Sequence, residues 1–179
     1  MLNVNLKTDL GISAHGLLKA VSLVIAVLLL RVTPTFAEPA PEFSLPILDQ
    51  EESIKLSDMK GKVVYLDFWA SWCGPCAVSL PELEKIRSRF HSQGFEVIAV
   101  NLDQSLDDAR RFLKDKKITY PILIDQMQIT PERYGVAGMP TAFLIDRDGQ
   151  VRETHTGFKE SDVDKITKLI RHLLEEVES

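Results

Sequence analysis

From Val63 onward the chain alternates between continuous apolar runs and segments whose apolar residues recur at helical spacing. Val63 to Trp69 (VVYLDFW) is β-branched and aromatic, which predicts a buried strand. Leu80, Leu83, Ile86 and Phe90 give Cys76 to Phe90 the spacing of a helix, ended by Gly94. Phe95 to Leu102 (FEVIAVNL) predicts a second buried strand. Leu106 to Lys117 predicts a charged amphipathic helix with Phe112 and Leu113 inward, and Tyr120 to Ile124 an extended piece after it. That alternation argues for parallel βαβ units. Thr141 to Ile145 and Gln150 to Thr156, joined by Asp146-Arg147-Asp148-Gly149, read as a β-hairpin, because Asp-Gly between extended segments is a strong turn signal. In the last helix Ser161 and Asp164 have the spacing of a capping box. Its apolar stripe is Val163, Ile166, Ile170, Leu173, Leu174 and Val177.

The first third of the chain is patterned differently. Phe43 to Lys60 offers two short extended pieces around Asp49-Gln50-Glu51-Glu52 and a turn at Lys60-Gly61-Lys62, while Glu38 to Glu42 is proline-rich and reads as a short tether. Ala20 to Leu30 (AVSLVIAVLLL) is continuously apolar, follows Lys19, and leads to Thr33-Pro34-Thr35-Phe36-Ala37, whose small last residue suits signal peptidase. A bilayer needs about 20 apolar residues, and Leu17, Leu18 and Val32 lengthen the run if Lys19 and Arg31 snorkel. Residues 1–37 are therefore a signal peptide cleaved near Ala37 or an N-terminal membrane anchor. Either way the domain, 38–179, faces an oxidising space outside the cytoplasm, periplasmic or otherwise extracytoplasmic, soluble after cleavage or anchored to the inner membrane.

With 179 residues, 45% of them hydrophobic and 26% charged, the chain can build one ordinary globular core after such a leader. Its formal charge is -5. Because Lys7, Lys19 and Arg31 outnumber Asp9 before residue 38, the domain itself is more acidic still. That balance excludes a nucleic-acid surface.

The only two cysteines stand in Trp72-Cys73-Gly74-Pro75-Cys76, at the joint between the first buried strand and the helix after it. A pair closing so short a ring can pass between dithiol and disulfide without moving the fold. The attacking species is a thiolate, and the unpaired N–H groups and dipole at a helix N-terminus favour it. Thioredoxin-type motifs are the reference case for such lowered thiol pKa values, about 3.5 to 7.5 against about 8.5 for a free thiol. Cys73 lies where those groups point and is expected to be the exposed nucleophile. Cys76, further into the helix, is expected to be the shielded sulfur that resolves a mixed disulfide. Pro75 suits the first helical turn, where its missing N–H has no partner to lose, and Gly74 lets a partner chain approach. A structural bridge would close too short a loop to restrict the unfolded chain much. Half of a zinc site would need about four ligands, and His15, His91, His155 and His172 are scattered.

Asp67-Phe68-Trp69-Ala70-Ser71-Trp72-Cys73-Gly74-Pro75-Cys76 resembles the thioredoxin active-site segment, and Gly138-Met139-Pro140-Thr141 resembles its cis-proline loop. Lys60-Gly61-Lys62-Val63-Val64, the long middle region Asp103 to Tyr134, and Phe143-Leu144-Ile145-Asp146 before Asp148-Gly149 are similar, more narrowly, to the TlpA/ResA-like secreted thioredoxins, over about Pro41 to Leu174. The resemblance implies an α/β thioredoxin fold: a central mixed β-sheet flanked by helices, with an N-terminal β-hairpin and an inserted α/β unit. It implies a cis Pro140 facing the sulfur pair and a Met139 backbone that pairs with a substrate strand. It also implies that Asp67, six residues before the first cysteine, is a buried acid relaying a proton for Cys76; the alternative is that Asp67 faces solvent. Many TlpA/ResA-like members place a glutamate three residues after the second cysteine. Here that position is Ser79. Phe95 to Leu102 also lacks the lysine that thioredoxin sets beside its buried acid. Trp72 is expected in the docking surface, and Trp69 and Phe68 in the core.

The function implied is a protein-disulfide reductase of the bacterial cell envelope, since Gly74-Pro75 resembles the reducing thioredoxins. It needs no organic cofactor or metal. Partners implied are disulfide-containing envelope proteins, with apocytochrome c thiols awaiting haem as one class, and a membrane thiol transporter that supplies electrons. A peroxiredoxin-like thiol peroxidase is an alternative, because Pro41-Glu42-Phe43-Ser44-Leu45 followed by Lys60-Gly61-Lys62 is shared with that branch. The threonine it needs three before its cysteine is replaced by Ala70 for Cys73 and by Cys73 for Cys76. A non-catalytic docking module with a permanent disulfide is the third reading.

Overall fold

A computed structural model describes residues 38–176; the leader, 1–37, and Val177 of the last stripe lie outside them. The strands are β1 (Glu38–Pro39), β2 (Ser44–Pro46), β3 (Ser53–Lys55), β4 (Val63–Trp69), β5 (Phe95–Asn101), β6 (Ile122–Ile124), β7 (Thr141–Ile145) and β8 (Gln150–Thr156). The helices are α1 (Cys76–Phe90), α2 (Leu106–Leu113), α3 (Ile129–Arg133) and α4 (Asp162–Glu175). Six strands form one mixed sheet in the order β1-β8-β7-β4-β5-β6, and β2 and β3 form a separate hairpin. β5 runs parallel to β4 and to β6, whereas β7 is antiparallel to both β4 and β8. This is the expected central mixed sheet with its N-terminal hairpin.

All seven residues of β4 are buried because both faces of the sheet are covered. Successive side chains alternate between the faces. Val63, Tyr65 and Trp69 pack under α1 and α4 with Leu80, Leu83, Ile86, Ile166 and Ile170. Val64, Leu66 and Phe68 pack on the other side against Phe43, Leu45 and Tyr134, from the hairpin and the α3 region. The ends of α1 are also as read: a short 3-10 turn, His91–Gln93, follows it, and Gly94 leaves that turn at φ 92°.

Three local expectations change, and one helix is unexpected. The helix expected to reach Lys117 ends at Leu113, where the Lys116 N–H donates to the Leu113 carbonyl (2.8 Å) and Lys116 Nζ to that of Phe112 (2.9 Å), closing the helix with a turn. The proline-rich tether is partly a strand: Glu38 pairs with Val151 and Pro39 with Gln150. α3 falls in a region with no period long enough to announce it. Ser161 has helical φ and ψ, so its hydroxyl caps nothing, and Asp162 Oδ2 instead accepts the Lys159 N–H at 2.8 Å. Among the described residues no helix is long and apolar enough to cross a membrane.

Candidate active site

β4 delivers the chain to the cysteine turn at the end of the sheet where β5 and β6 also end. The turn is knit by short-range bonds. The Cys73 N–H donates to the Ala70 carbonyl (3.1 Å), and the Cys76 N–H points both to the Cys73 carbonyl (3.2 Å) and to Cys73 Sγ (3.3 Å). The first sulfur therefore sits at the open end of α1, where unpaired N–H groups and the dipole favour negative charge. Pro75 caps the helix with φ -61°, the value its ring imposes.

The sulfurs are joined, with S–S 1.99 Å and Cα–Cα 5.3 Å. Cys76 is 0% exposed, as expected of the resolving position. Cys73 is only 4% exposed, which corrects the expectation of an exposed nucleophile: bonded to Cys76 below it, the sulfur leaves a small accessible face. What surrounds that face is open. Trp72 is 72% exposed, Gly74 and Pro75 are exposed, and a methyl group placed on Gly74 would meet nothing within 4 Å.

The cis-proline loop closes the other side. Met139-Pro140 is cis, and because Thr141 pairs with Phe68, Pro140 lies at the level of Trp69, where β4 leaves the sheet. The Pro140 carbonyl accepts the Gly157 N–H (2.8 Å), and Thr141 Oγ1 donates to the Gly138 carbonyl (2.7 Å). Met139 is half-buried against both halves of the core.

Asp67 is buried on the α1 and α4 side of β4, which removes the solvent-facing alternative. Its neighbour in register on β5 is Ala99, and its Oδ2 has no hydrogen-bond partner. Burial with no compensating cation pushes the carboxyl from 3.8 up to about 8. Ser79, in the glutamate position, is buried and donates to the Cys76 carbonyl (3.4 Å), so it brings no titrating group.

One residue the sequence did not single out braces the turn. Buried Asp103 accepts the Ser71 N–H on both oxygens (3.2 and 3.0 Å), the Ser71 hydroxyl (2.9 Å) and Asn101 Nδ2 (2.8 Å). Three donors, making four hydrogen bonds, hold this carboxylate against the residue just before Trp72-Cys73. The available signal was the pair of polar residues, Asn101 and Asp103, at the end of an apolar strand.

A family model described as Redoxin matches residues 36–170. The thiol-disulfide oxidoreductases ResA of Geobacillus kaustophilus and Bacillus subtilis are similar to this chain. The first is 35% identical over 133 residues, covering 74% of this chain and 76% of the relative. The second is 36% identical over 133 residues, covering 74% of each. Among solved structures, a thiol:disulfide interchange protein DsbE from Chlorobium tepidum is 44% identical with TM-score 0.74, over 77% of this chain and 96% of its own. StoA from Bacillus subtilis is 26% identical with TM-score 0.61, over 72% of this chain and 96% of its own. Likeness in sequence and likeness in shape thus agree: the chain belongs to the redoxin family, as a ResA-like thiol-disulfide oxidoreductase.

Proposed function

We propose that the protein works as a reductant of protein disulfides in the bacterial cell envelope, with Cys73 as nucleophile, Cys76 as resolving cysteine and Asp67 as proton relay. The observation that carries this is the cysteine turn itself: Cys73 Sγ faces the Cys76 N–H at the start of α1 and Cys76 is fully buried, while the unpartnered Asp67 carboxyl is buried on the same side of β4. In the dithiol form the Cys73 thiolate attacks a substrate disulfide. One substrate sulfur joins Cys73 and the other leaves as thiolate. Cys76 gives its proton to the Asp67 carboxylate as its sulfur attacks Cys73, the second substrate thiolate departs, and the Cys73–Cys76 bond stores the two electrons' loss. A pKa raised to about 8 leaves Asp67 able to hold and release a proton near neutral pH.

Trp72, Gly74, Pro75, Met139 and Pro140 frame the accessible face of Cys73 and form the docking surface, with the Met139 backbone pairing an extended substrate segment. The leader, 1–37, exports the domain 38–179 or anchors it to the inner membrane. Electrons return through a membrane thiol transporter, and oxidised apocytochrome c is one substrate class among envelope proteins.

The test has two parts. Cys76→Ala in cells is expected to accumulate mixed disulfides on Cys73 with envelope proteins, and Cys73→Ser to accumulate none and to lose insulin-disulfide reduction. A reduction potential near that of DsbA, about -120 mV, instead of near thioredoxin at about -270 mV, would overturn the reducing direction.

A further inference from the structure

When the cysteine pair gives up two electrons, negative charge leaves with them. Before exchange the pair holds the Cys73 thiolate and the Cys76 thiol. Afterwards it is a neutral disulfide, the two substrate sulfurs have departed as thiolates, and Asp67 holds the Cys76 proton. The charges around Cys73 therefore bear on the balance: a cation or a helix N-terminus favours the dithiol form, and an anion favours the disulfide.

The helix end is present, with the Cys76 N–H 3.3 Å from Cys73 Sγ. The charged side chains beside it are acids. Four segments meet at this pole of the sheet: Ala70 to Leu80 with the sulfurs, Asn101 to Ser105 after β5, Ile124 to Ile129 after β6, and Val136 to Thr141 with the cis-proline. The first three are laid side by side by the Leu102 N–H on the Trp69 carbonyl (2.9 Å) and the Asp125 N–H on the Asn101 carbonyl (3.1 Å). The four segments contain no lysine, arginine or histidine, and their only charged residues are Asp103 and Asp125. With Asp67 from β4 these make three buried carboxyl groups, and among the described residues no ion pair neutralises any of them. On α2, which follows Ser105, Arg110 and Arg111 are paired with Asp49, Asp107 and Asp108, and beyond it Lys116 lies over the Phe112 ring.

Asp103 is the acid that touches the cysteine turn. The Cys73 N–H closes this turn on the Ala70 carbonyl (3.1 Å), and Ser71 within it gives its N–H and its hydroxyl to the Asp103 carboxylate (3.0 and 2.9 Å). Asn101 Nδ2 is the third donor, at 2.8 Å, and Asn101 Oδ1 accepts the Asp103 N–H at 3.2 Å, which fixes the amide's orientation. Every hydrogen bond to the Asp103 side chain is thus donated to it, the set that suits an ionised, acceptor-only carboxylate. Two peptide steps of about 3.8 Å each lead from Ser71 to Cys73, which puts this charge about 10 Å from Cys73 Sγ. Protein rather than water fills the space around it, since Asp103 is 2% exposed. Asp125 lies one strand further off and accepts the Thr130 N–H (2.7 Å), while burial holds the Asp67 proton up to about 8.

We propose that Asp103 sets how readily the pair gives up its electrons: it holds the cysteine turn and keeps a fixed negative charge behind the Cys73 thiolate, which destabilises the dithiol form relative to the disulfide. The inference deepens, and rests on, the reading of the protein as a reductant with Cys73 as nucleophile. The helix end makes the thiolate available for attack, and Asp103 makes keeping it unfavourable. Asp103 is a positioning residue, in contact with neither sulfur.

The experiment equilibrates the full-length protein with dithiothreitol buffers at pH 5.5 and pH 8 until the ratio of disulfide to dithiol is constant. Removing a charge about 10 Å away, at an effective dielectric constant of about 20, is worth a factor of about ten. At pH 8, where Cys73 is mostly thiolate, Asp103→Asn should shift the equilibrium about tenfold toward the dithiol, a potential about 30 mV less negative. At pH 5.5, where the thiol dominates, parent and variant should agree within about twofold, and the midpoint of Cys73 alkylation should lie about one pH unit lower in the variant. A merely structural loss would act equally at both pH values. Ser71→Ala removes one bond and leaves the charge, so its equilibrium should stay close to the parent's; a shift as large as that of Asp103→Asn would assign the effect to the clamp and overturn the inference. An Asp103→Asn shift below about twofold at pH 8, or one of equal size at both pH values, overturns it too. Should Asp103→Asn fail to fold, Asp103→Ala, which brings no new donor to face Ser71, carries the same expectation. The parent's own potential judges the underlying reading separately: a value near that of DsbA, about -120 mV, refutes the reductant, while the difference between parent and variant still decides for or against Asp103.

Discussion

Asp67→Asn should stabilise the oxidised protein, and by an amount that grows with pH. The folded protein binds the Asp67 proton with a pKa of about 8, against 3.8 for an ordinary aspartate. Between those two values the native state holds a proton that the unfolded chain has lost, so stability falls as pH rises, by about 1.4 kcal/mol per unit. The contribution is fully present below 3.8 and gone above about 8. Asparagine resembles the neutral acid in shape and never ionises. Parent and variant should therefore be nearly equal at pH 4 and diverge to about 4 kcal/mol by pH 7. That figure is a ceiling, because water drawn to the carboxylate lowers it. Urea unfolding with the disulfide intact, at pH 4, 5, 6, 7 and 8, gives the difference from midpoint and slope. A difference that stays constant across the series would mean an ordinary carboxylate, and with it the loss of the acid-base role.

Asp103→Ala strips the Ser71 N–H and Asn101 Nδ2 of their acceptor, at about 1–3 kcal/mol for each buried donor left alone; urea unfolding at neutral pH measures the loss, and a cost below 0.5 kcal/mol, the scale of ordinary surface changes, about ±0.5 kcal/mol, would show that the turn stands without it. Gly94→Ala forces a left-handed backbone on an L residue and sets a methyl 3.0 Å from Arg147 Nη1, which itself donates to the Gly61 carbonyl (2.7 Å). About 1–2 kcal/mol should be lost, read as a lower Tm, and an unchanged Tm refutes the strain. In the reduced protein, the rate of Cys73 alkylation against pH should show a midpoint below the free-thiol value of about 8.5, and a midpoint at or above it would refute the helix-end argument.

Where one physical cause dominates, the sequence is easy to read. β4 and α1 are bounded as the apolar pattern predicts, since a β-branched and aromatic run and the helical spacing of Leu80, Leu83, Ile86 and Phe90 each admit one regular structure. The cysteine turn follows from their junction. The face taken by Asp67 does not, because a strand buried on both sides gives no alternation to count; only the resemblance put the carboxyl inside. β1 and α3 are short elements fixed by tertiary contacts: backbone pairing with β8, and the Asp125 carboxylate accepting the Thr130 N–H at 2.7 Å. Asp103 becomes meaningful only when β4 and β5 are laid side by side, which brings its carboxylate against Ser71.

The pairing of Glu38 with Val151 fixes one more property. Val151 lies at the start of β8, whereas Thr156 at its other end pairs with Thr141 beside Pro140. Five residues of strand, about 17 Å, therefore separate the pole of the domain that carries Glu38 from the pole that bears the sulfurs.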